Sequence, residues 1–467
     1  MSDFHADLKA IGVDAEDLSK FSVENLSTLF PRELDDFSDL FAAVAHGCAA
    51  GLHNDAFATV YNPRIRRLDA NYLGNKLGGW SASIRLLREF CDRSRPVPGL
   101  SQQQSSVVLA DLVQAYQIVG RTEEAYTLGT ESLQLAVNKK QWENVSRWAS
   151  IMCELNLVVG DVGAAVAAAK QGMQTRDERG MKTDFAAVKF ALAHALHLAG
   201  DVTQAEELFG TVMFVILSTD DENDDIHKWL HSYRAAELLL TLGEFQRAAG
   251  LAQGVIDNEV VTLRMPKVTS ALNRLICGWA LTRLASIEGR RLGNGQGEAP
   301  ESEDAMKRVA RRFQAGVGRI NEAIERLRNC EAEDCLPRGL ILRATLLREV
   351  NKCEEAERDL REALQIAERG DMQLHVVDAK LELARQMISR FILKFEGKTS
   401  DWAEAAGKYY EEAKDLINRT GYNRRIPELV AIQQCLLGRR PYDHDDVGPD
   451  LDSQGQPAGA WLKSIQR

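Results

Sequence analysis

Residues 159–173 read VGDVGAAVAAAKQGM, and the reading of this stretch decides the fold. Two closely spaced glycines, Gly160 and Gly163, a run of small residues and a lysine suggest a phosphate-cradling loop. Such a loop needs G-x-x-x-x-G-K-[ST], so that backbone N–H groups surround the phosphate, the lysine reaches it and the hydroxyl holds magnesium. Here Gly160 and Gly163 are three apart, Lys170 lies seven residues further on, and Gln171 follows it. The stretch is not a P-loop.

The same pattern recurs along the chain. GRTEEAYTLGTESLQLA starts at Gly120, GDVTQAEELFGTVM at Gly200, GEFQRAAGLAQGVI at Gly243 and NKCEEAERDLREALQIA at Asn351. Each copy carries alanine five residues after its turn residue, at Ala125, Ala165, Ala205, Ala248 and Ala356, and the first four are spaced 40, 40 and 43 residues apart. Glycine or asparagine accepts the left-handed backbone that ends one helix. The alanine then lets the next helix pack closely on the last, and positions four and seven residues on, such as Leu360 and Ala363, share its face. Before each turn an amphipathic run supplies the partner helix: VVLADLVQAYQIV, WASIMCELNLVV, FALAHALHLA, YRAAELLLTL and RGLILRATLLREV. Weaker copies at Gly51, Gly78, Gly316 and Ala406 extend the array to about nine helical pairs. No long period-two pattern interrupts them, so the expected fold is all-α.

These units resemble the tetratricopeptide repeat (TPR) family, whose repeat of about 34 residues is a pair of antiparallel helices. The resemblance implies a right-handed α-solenoid of TPR-like pairs, although the unit here is nearer 40 residues and prolines after the second helix are mostly missing. The block GLHNDAFATVYNPRIRRLDANYLGNKLGGWSASIRLLREFCD and the later EEAERDLREALQIAERGDMQLHVVDAKLELAR are similar to repeat regions of bacterial signalling proteins. There such a region often follows a NACHT or NB-ARC type NTPase and is taken to sense a ligand or partner. This similarity implies the sensing half alone, with an NTPase or effector encoded separately. The expected organisation is an N-terminal helical cap over 1–40, repeats over 41–286, an inter-helix loop over 287–304, repeats over 305–439 and a polar tail over 440–467.

Composition narrows the function. The 467 residues carry 57 basic and 68 acidic side chains, a net charge of −11, which argues against non-specific nucleic-acid binding. Basic clusters at Arg64-Arg66-Arg67, Lys307-Arg308-Arg311-Arg312 and Arg424-Arg425 are interrupted by apolar residues at helical spacing and read as solvated helix faces. No apolar run reaches the roughly 18 residues needed to cross a bilayer, and the acidic start lacks the features of a signal peptide, so a cytoplasmic location without membrane contact is expected. Eight scattered cysteines without CxxC read as small buried hydrophobes.

Catalytic signatures are sparse: HExxH, GxSxG and CxxC are absent. His194 and His197 stand i,i+3 and His227 and His231 i,i+4, spacings that put both imidazoles of a pair on one face as a zinc site needs. No further ligands are marked, so no metal, cofactor or catalytic residue is assigned. The acidic run at 218–225 fails the EF-hand test, because Asp225 stands where that loop needs glycine. Gly293-Asn294-Gly295-Gln296-Gly297 resembles a dinucleotide loop but follows no strand pattern.

The TPR resemblance implies a concave groove formed by the first helix of each pair. Transferring the family's groove positions residue by residue gives Gln114, Gln117, Arg147, Ser150, Glu154, Phe190, His194, His197, Tyr233, Glu237, Arg338, Thr345 and Arg348. The carboxylate clamp of chaperone-binding relatives is not matched, since Ala110, Gln114, Ser150 and Glu154 stand at its places. The mixed surface suits a protein or peptide ligand, with Phe190, Tyr233 and Arg338 as expected anchors. The expectation is a non-enzymatic scaffold or sensor. A metal-dependent enzyme using the groove histidines and a peptide-responsive transcription regulator are the alternatives.

Overall fold

The computed structural model describes residues 31–93, 95–179, 185–218, 232–258, 266–293, 302–392 and 399–438. Among them the chain is an all-α solenoid. An irregular N-terminal part contains α1 (Ser38–Ala49), a π-helical segment (Ala56–Arg66) and α2 (Trp80–Arg88). Its sole β structure among the described residues is a two-residue antiparallel pair, Cys91–Asp92 with Arg95–Pro96.

Regular hairpins follow: α3 (Gln102–Ile118) with α4 (Thr122–Asn138), α5 (Trp142–Val159) with α6 (Val162–Arg179), and α7 (Phe185–Leu198) with α8 (Val202–Ser218). Next come α9 (Ser232–Thr241) with α10 (Phe245–Asn258) and the long pair α11 (Lys267–Gly293) with α12 (Ser302–Asn329). The array ends with α13 (Leu336–Glu349) and α14 (Cys353–Arg369), α15 (Gln373–Ile392) and α16 (Thr399–Thr420), and the single α17 (Ile426–Leu436).

The opening stretch is a hinge between two of these helices. Gly160 ends α5 with φ +86°, and the Asp161 carboxylate accepts the Ala164 N–H at 2.8 Å, capping α6. Gly120, Gly200 and Gly243 repeat the positive φ, as does Asn351 at +62°. Ala125, Ala165, Ala205, Ala248 and Ala356 are each 0% exposed, so the close helix contact is made at every copy. The complementary turns, from the second helix of one pair to the first of the next, also pass through left-handed residues: Lys140, Glu331 and Asp371. Lysine and glutamate carry no turn signal in the sequence, whereas Asp371 is of a type that tolerates the left-handed region.

Two segments differ from expectation. Gly316 is not at a turn; it lies within α12, where it crosses Gly278 of α11 so closely that a Cβ on Gly278 would stand 2.7 Å from the Gly316 carbonyl oxygen. The expected loop over 287–304 is also shorter, because α11 runs to Gly293 and α12 starts at Ser302. A salt bridge between Glu288 and Arg312 ties the two helices there, and charged pairing of this kind leaves no apolar period to read. The acidic run, the pair His227 and His231, most of the N-terminal cap and the tail after Gly438 lie outside the described residues.

The array coils until its late turns meet its early ones. The Asp334 N–H donates to the Ile118 carbonyl at 3.2 Å, and the Ser81 N–H donates to Glu331 Oε2 at 2.8 Å. A Cβ on Gly160 would lie 2.5 Å from the Gln373 Cβ, and one on Gly78 would lie 2.8 Å from the Cys330 Cα. These glycines therefore serve twice, ending a helix and admitting a residue more than 200 positions away along the chain. Two apolar clusters span the seam, one joining Leu112 and Trp148 to Leu340, the other joining Phe190 and Leu157 to Val377 and Ile417.

Candidate functional site: a closed polar interior and an open cleft

The register expected from the repeats brings six of the proposed groove residues together. Glu154 on α5, His194 and His197 on α7, Tyr233 and Glu237 on α9, and Arg338 on α13 form one network at the seam. Arg234 Nη2 donates to Glu154 Oε2 at 2.6 Å, and Arg234 Nε donates to the Tyr233 hydroxyl at 2.9 Å. Glu237 is held between two guanidinium groups, Arg338 at 2.5 Å and Arg424 at 2.7 Å. The His197 Nε2 lies 2.9 Å from Thr241 Oγ1, whose proton is given to the Glu237 carbonyl at 3.3 Å. The imidazole therefore donates from Nε2 and leaves Nδ1 as an acceptor. His375 Nε2 lies 3.0 Å from the Asp334 carbonyl, which fixes the same tautomer there.

Because this network is enclosed by both layers of the coil, its protonation is set by burial. Desolvation pushes His197 down to about 3, with Arg424 adding to the effect. His194 is held well below its usual range by burial and by Arg234, and burial lowers His375 too. Burial alone would raise Glu237, but Arg338 and Arg424 hold its carboxyl well below the carboxylate range. Asp334 is pushed up to about 7 by burial, and Tyr233 to about 12. The Nδ1 atoms of His194, His197 and His375, together with Glu154 Oε1, are buried without a hydrogen-bond partner among the described residues.

The other proposed positions are placed differently. Phe190 is 0% exposed and packs 6.0 Å from the Phe209 ring, so it is a core side chain and not a groove anchor. Arg348 is 1% exposed and donates to Glu382 Oε1 at 2.6 Å, and the Thr345 hydroxyl is buried on the Ile341 carbonyl. Gln117 reaches Asp334 at 3.5 Å, while Ser150 turns back to the Ser146 carbonyl. Gln114 and Arg147 alone of the set face solvent, Gln114 accepting from Asn71 at 3.2 Å. The inward face exists, but the second layer covers it.

Residues missed by sequence reasoning complete the network: Arg234, Asp334, His375, Asp378, Arg424 and Arg425. Arg424 and Arg425 were expected on a solvated face. They are instead half-buried and paired with Glu237, Asp378 and Glu428. Arg66 and Arg67 of the first basic cluster are likewise turned inward, Arg66 pairing with Asp111 at 2.7 Å. Their signal was the carboxylates at matching depth on other helices, which no local window contains. Among the described residues no group of three or more His, Cys, Asp or Glu side chains is placed to hold a metal ion.

Open space lies elsewhere. α12 has 28 residues and α13 only 14, so α12 overhangs the α13–α14 turn and forms a cleft of about 770 Å³. Its floor is apolar, from Phe313 and Val317 on α12, Leu346 and Leu347 on α13, and Val350 just after it. Its rim carries charge: Arg343 pairs with Asp359 at 2.6 Å, Lys352 with Glu355 at 3.3 Å, and Glu362 with Arg328 at 2.6 Å. Arg358 is exposed on that rim with no ion pair among the described residues.

No protein-family model matches the chain, and no curated protein matches it. A solved structure described as a circular tandem repeat protein with novel repeat topology and enhanced subunit contact surfaces is similar over 99% of this chain and 93% of its own, at 13% identity and a TM-score of 0.25. At so loose a superposition the likeness says nothing of activity or partner. The chain is a helical-repeat protein by its own architecture, with no helix among the described residues long and apolar enough to cross a membrane.

Proposed function

We propose that this protein is a non-enzymatic, TPR-like scaffold that takes an amphipathic helix of a protein partner in the cleft between α12 and α13–α14. The observation that carries this reading is the cleft itself, an apolar floor within a charged rim and of a volume typical of binding sites. A helix laid in a groove buries one apolar stripe and leaves its polar face to the rim. The rim's own ion pairs are satisfied internally, so the unpaired Arg358 favours an acidic residue on the incoming helix. A separately encoded NTPase or effector of a bacterial signalling or defence complex is the partner class suggested by the sequence resemblance.

Selection of displayed amphipathic helical peptides on the full chain tests the reading. Selected peptides should be acidic on the flank of their apolar stripe. They should lose at least about 30-fold in affinity to Val317→Asp with Leu347→Asp, and keep it for Gln114→Ala with Arg147→Ala. Peptides that bind the cleft variant as well as the wild type would remove the cleft from consideration.

A further inference from the structure

The network at the seam has a composition that makes closure of the coil depend on pH. We propose that Glu237, clasped by Arg338 and Arg424 beside His194 and His197, is a latch that holds the late layer on the early one at neutral pH and releases it on acidification. The proposal is independent of the cleft, which lies within the late hairpins.

The geometry supplies the reason. Glu237 sits on α9 of the early layer, and its two cationic partners come from α13 and from the turn before α17, both in the late layer. His194 and His197 on α7 face Glu154 from α5, Tyr233, Arg234 and Glu237 from α9, Arg338 from α13, and Arg424 and Arg425 from that turn. In the enclosure Glu154 already holds Arg234, Glu237 holds Arg338 and Arg424, and Asp378 and Glu428 hold Arg425. A proton added to either imidazole is therefore a further buried positive charge in a network where these carboxylates are already paired with arginines. Separation of the layers lets water in and removes the penalty. His375 adds a third imidazole in the same enclosure.

Asp334 acts in the opposite sense. Its carboxyl is pushed up by burial to about 7, so it takes up a proton in the closed form and favours closure as pH falls. Burial raises Glu154 as well, although Arg234 restrains it. Three imidazoles against these carboxyls leave the open form binding more protons below about pH 6.5, the unperturbed histidine value. Each net proton changes the open population about tenfold per pH unit.

Two backbone amides report on the seam directly, Ser81 bonded to Glu331 and Asp334 bonded to Ile118. Asp161 and Asp201, whose amides bond to Asn156 and Leu196, report on hairpins alone. Hydrogen exchange of the full chain, corrected for its intrinsic pH dependence, should show the seam amides losing about tenfold or more in protection from pH 7.5 to 5.5. The hairpin amides should change little. In His194→Gln with His197→Gln, which cannot titrate, the seam response should disappear. Should that double variant fail to fold at pH 7.5, His197→Gln alone, whose amide keeps a donor toward Thr241, should show a reduced response. Seam amides that follow the hairpin amides at every pH would overturn the latch, and so would a wild-type response that persists in the glutamine variants.

Discussion

At the residue scale, the glycines and alanines of the repeat have distinct physical tasks. Gly51 and Gly160 both have positive φ, but a Cβ on Gly51 meets nothing within 4 Å, whereas one on Gly160 meets Gln373 at 2.5 Å. Gly51→Ala should cost about 1 kcal/mol from the left-handed backbone alone. Gly160→Ala should cost clearly more, because the late layer has to shift, and denaturant unfolding of the two variants measures the difference. Ala165→Leu and Ala205→Leu should each destabilise by about 1–3 kcal/mol through overpacking at fully buried helix contacts. An unchanged thermal midpoint in both would contradict the helix contact seen here. Phe190→Ala should lose about 3–5 kcal/mol of folding free energy, the result of a core cavity and not of a lost binding anchor.

At the scale of elements, the ion pairs separate by depth. Glu237 links α9 to α13 and to the turn before α17 with its side chain 10% exposed, whereas Arg312 and Glu288, at 40% and 32%, link α12 to α11 near solvent. Glu237→Leu leaves two half-buried guanidinium groups without their carboxylate and should cost about 2–4 kcal/mol, below the full range for a completely buried pair. Arg312→Met should cost under about 1 kcal/mol, since exposed pairs contribute little. Chemical denaturation curves of both variants in one buffer give the comparison, and equal losses would deny the seam network its structural weight. The overhang of α12 belongs to this scale too. It follows from unequal helix lengths, α11 and α12 being 27 and 28 residues against 14 and 17 in α13 and α14.

At the scale of the whole molecule, burial of the network shapes stability against pH. His194, His197 and His375 are neutral in the folded chain, with His197 down to about 3, but protonate near 6.5 when unfolded. Their contribution is full above about pH 6.5 and is lost as pH falls from there toward 3. Arg425 and Arg385 hold Glu428 at about 2 against the pull of burial, so its contribution is full above the ordinary glutamate value and fades as pH falls toward 2. Asp334, raised to about 7, works the other way between that value and its ordinary 3.8. Asp334→Asn should therefore raise stability relative to wild type at pH 8, and that advantage should shrink at pH 5 and vanish only below about 3.8. Thermal midpoints by circular dichroism at the two pH values check the sign.

The sequence by itself determined the local architecture. The turn glycines, the alanines five residues later and the amphipathic runs before them are encoded within windows of about 20 residues, since helix ends and helix-pair contacts depend on conformational freedom and side-chain size close at hand. The inward direction of Glu154, His194, His197, Tyr233, Glu237 and Arg338 was legible for the same reason, being a matter of helical phase. Only the tertiary structure decided what those side chains face. Small rotations between successive hairpins add up over the array until Gly160 meets Gln373 and Glu237 meets Arg424, and no local window records their sum. That sum turned an expected open groove into a buried ionic seam and brought Arg424 and Arg425 in from solvent. It left an open cleft beneath α12, where a long helix outruns a short one.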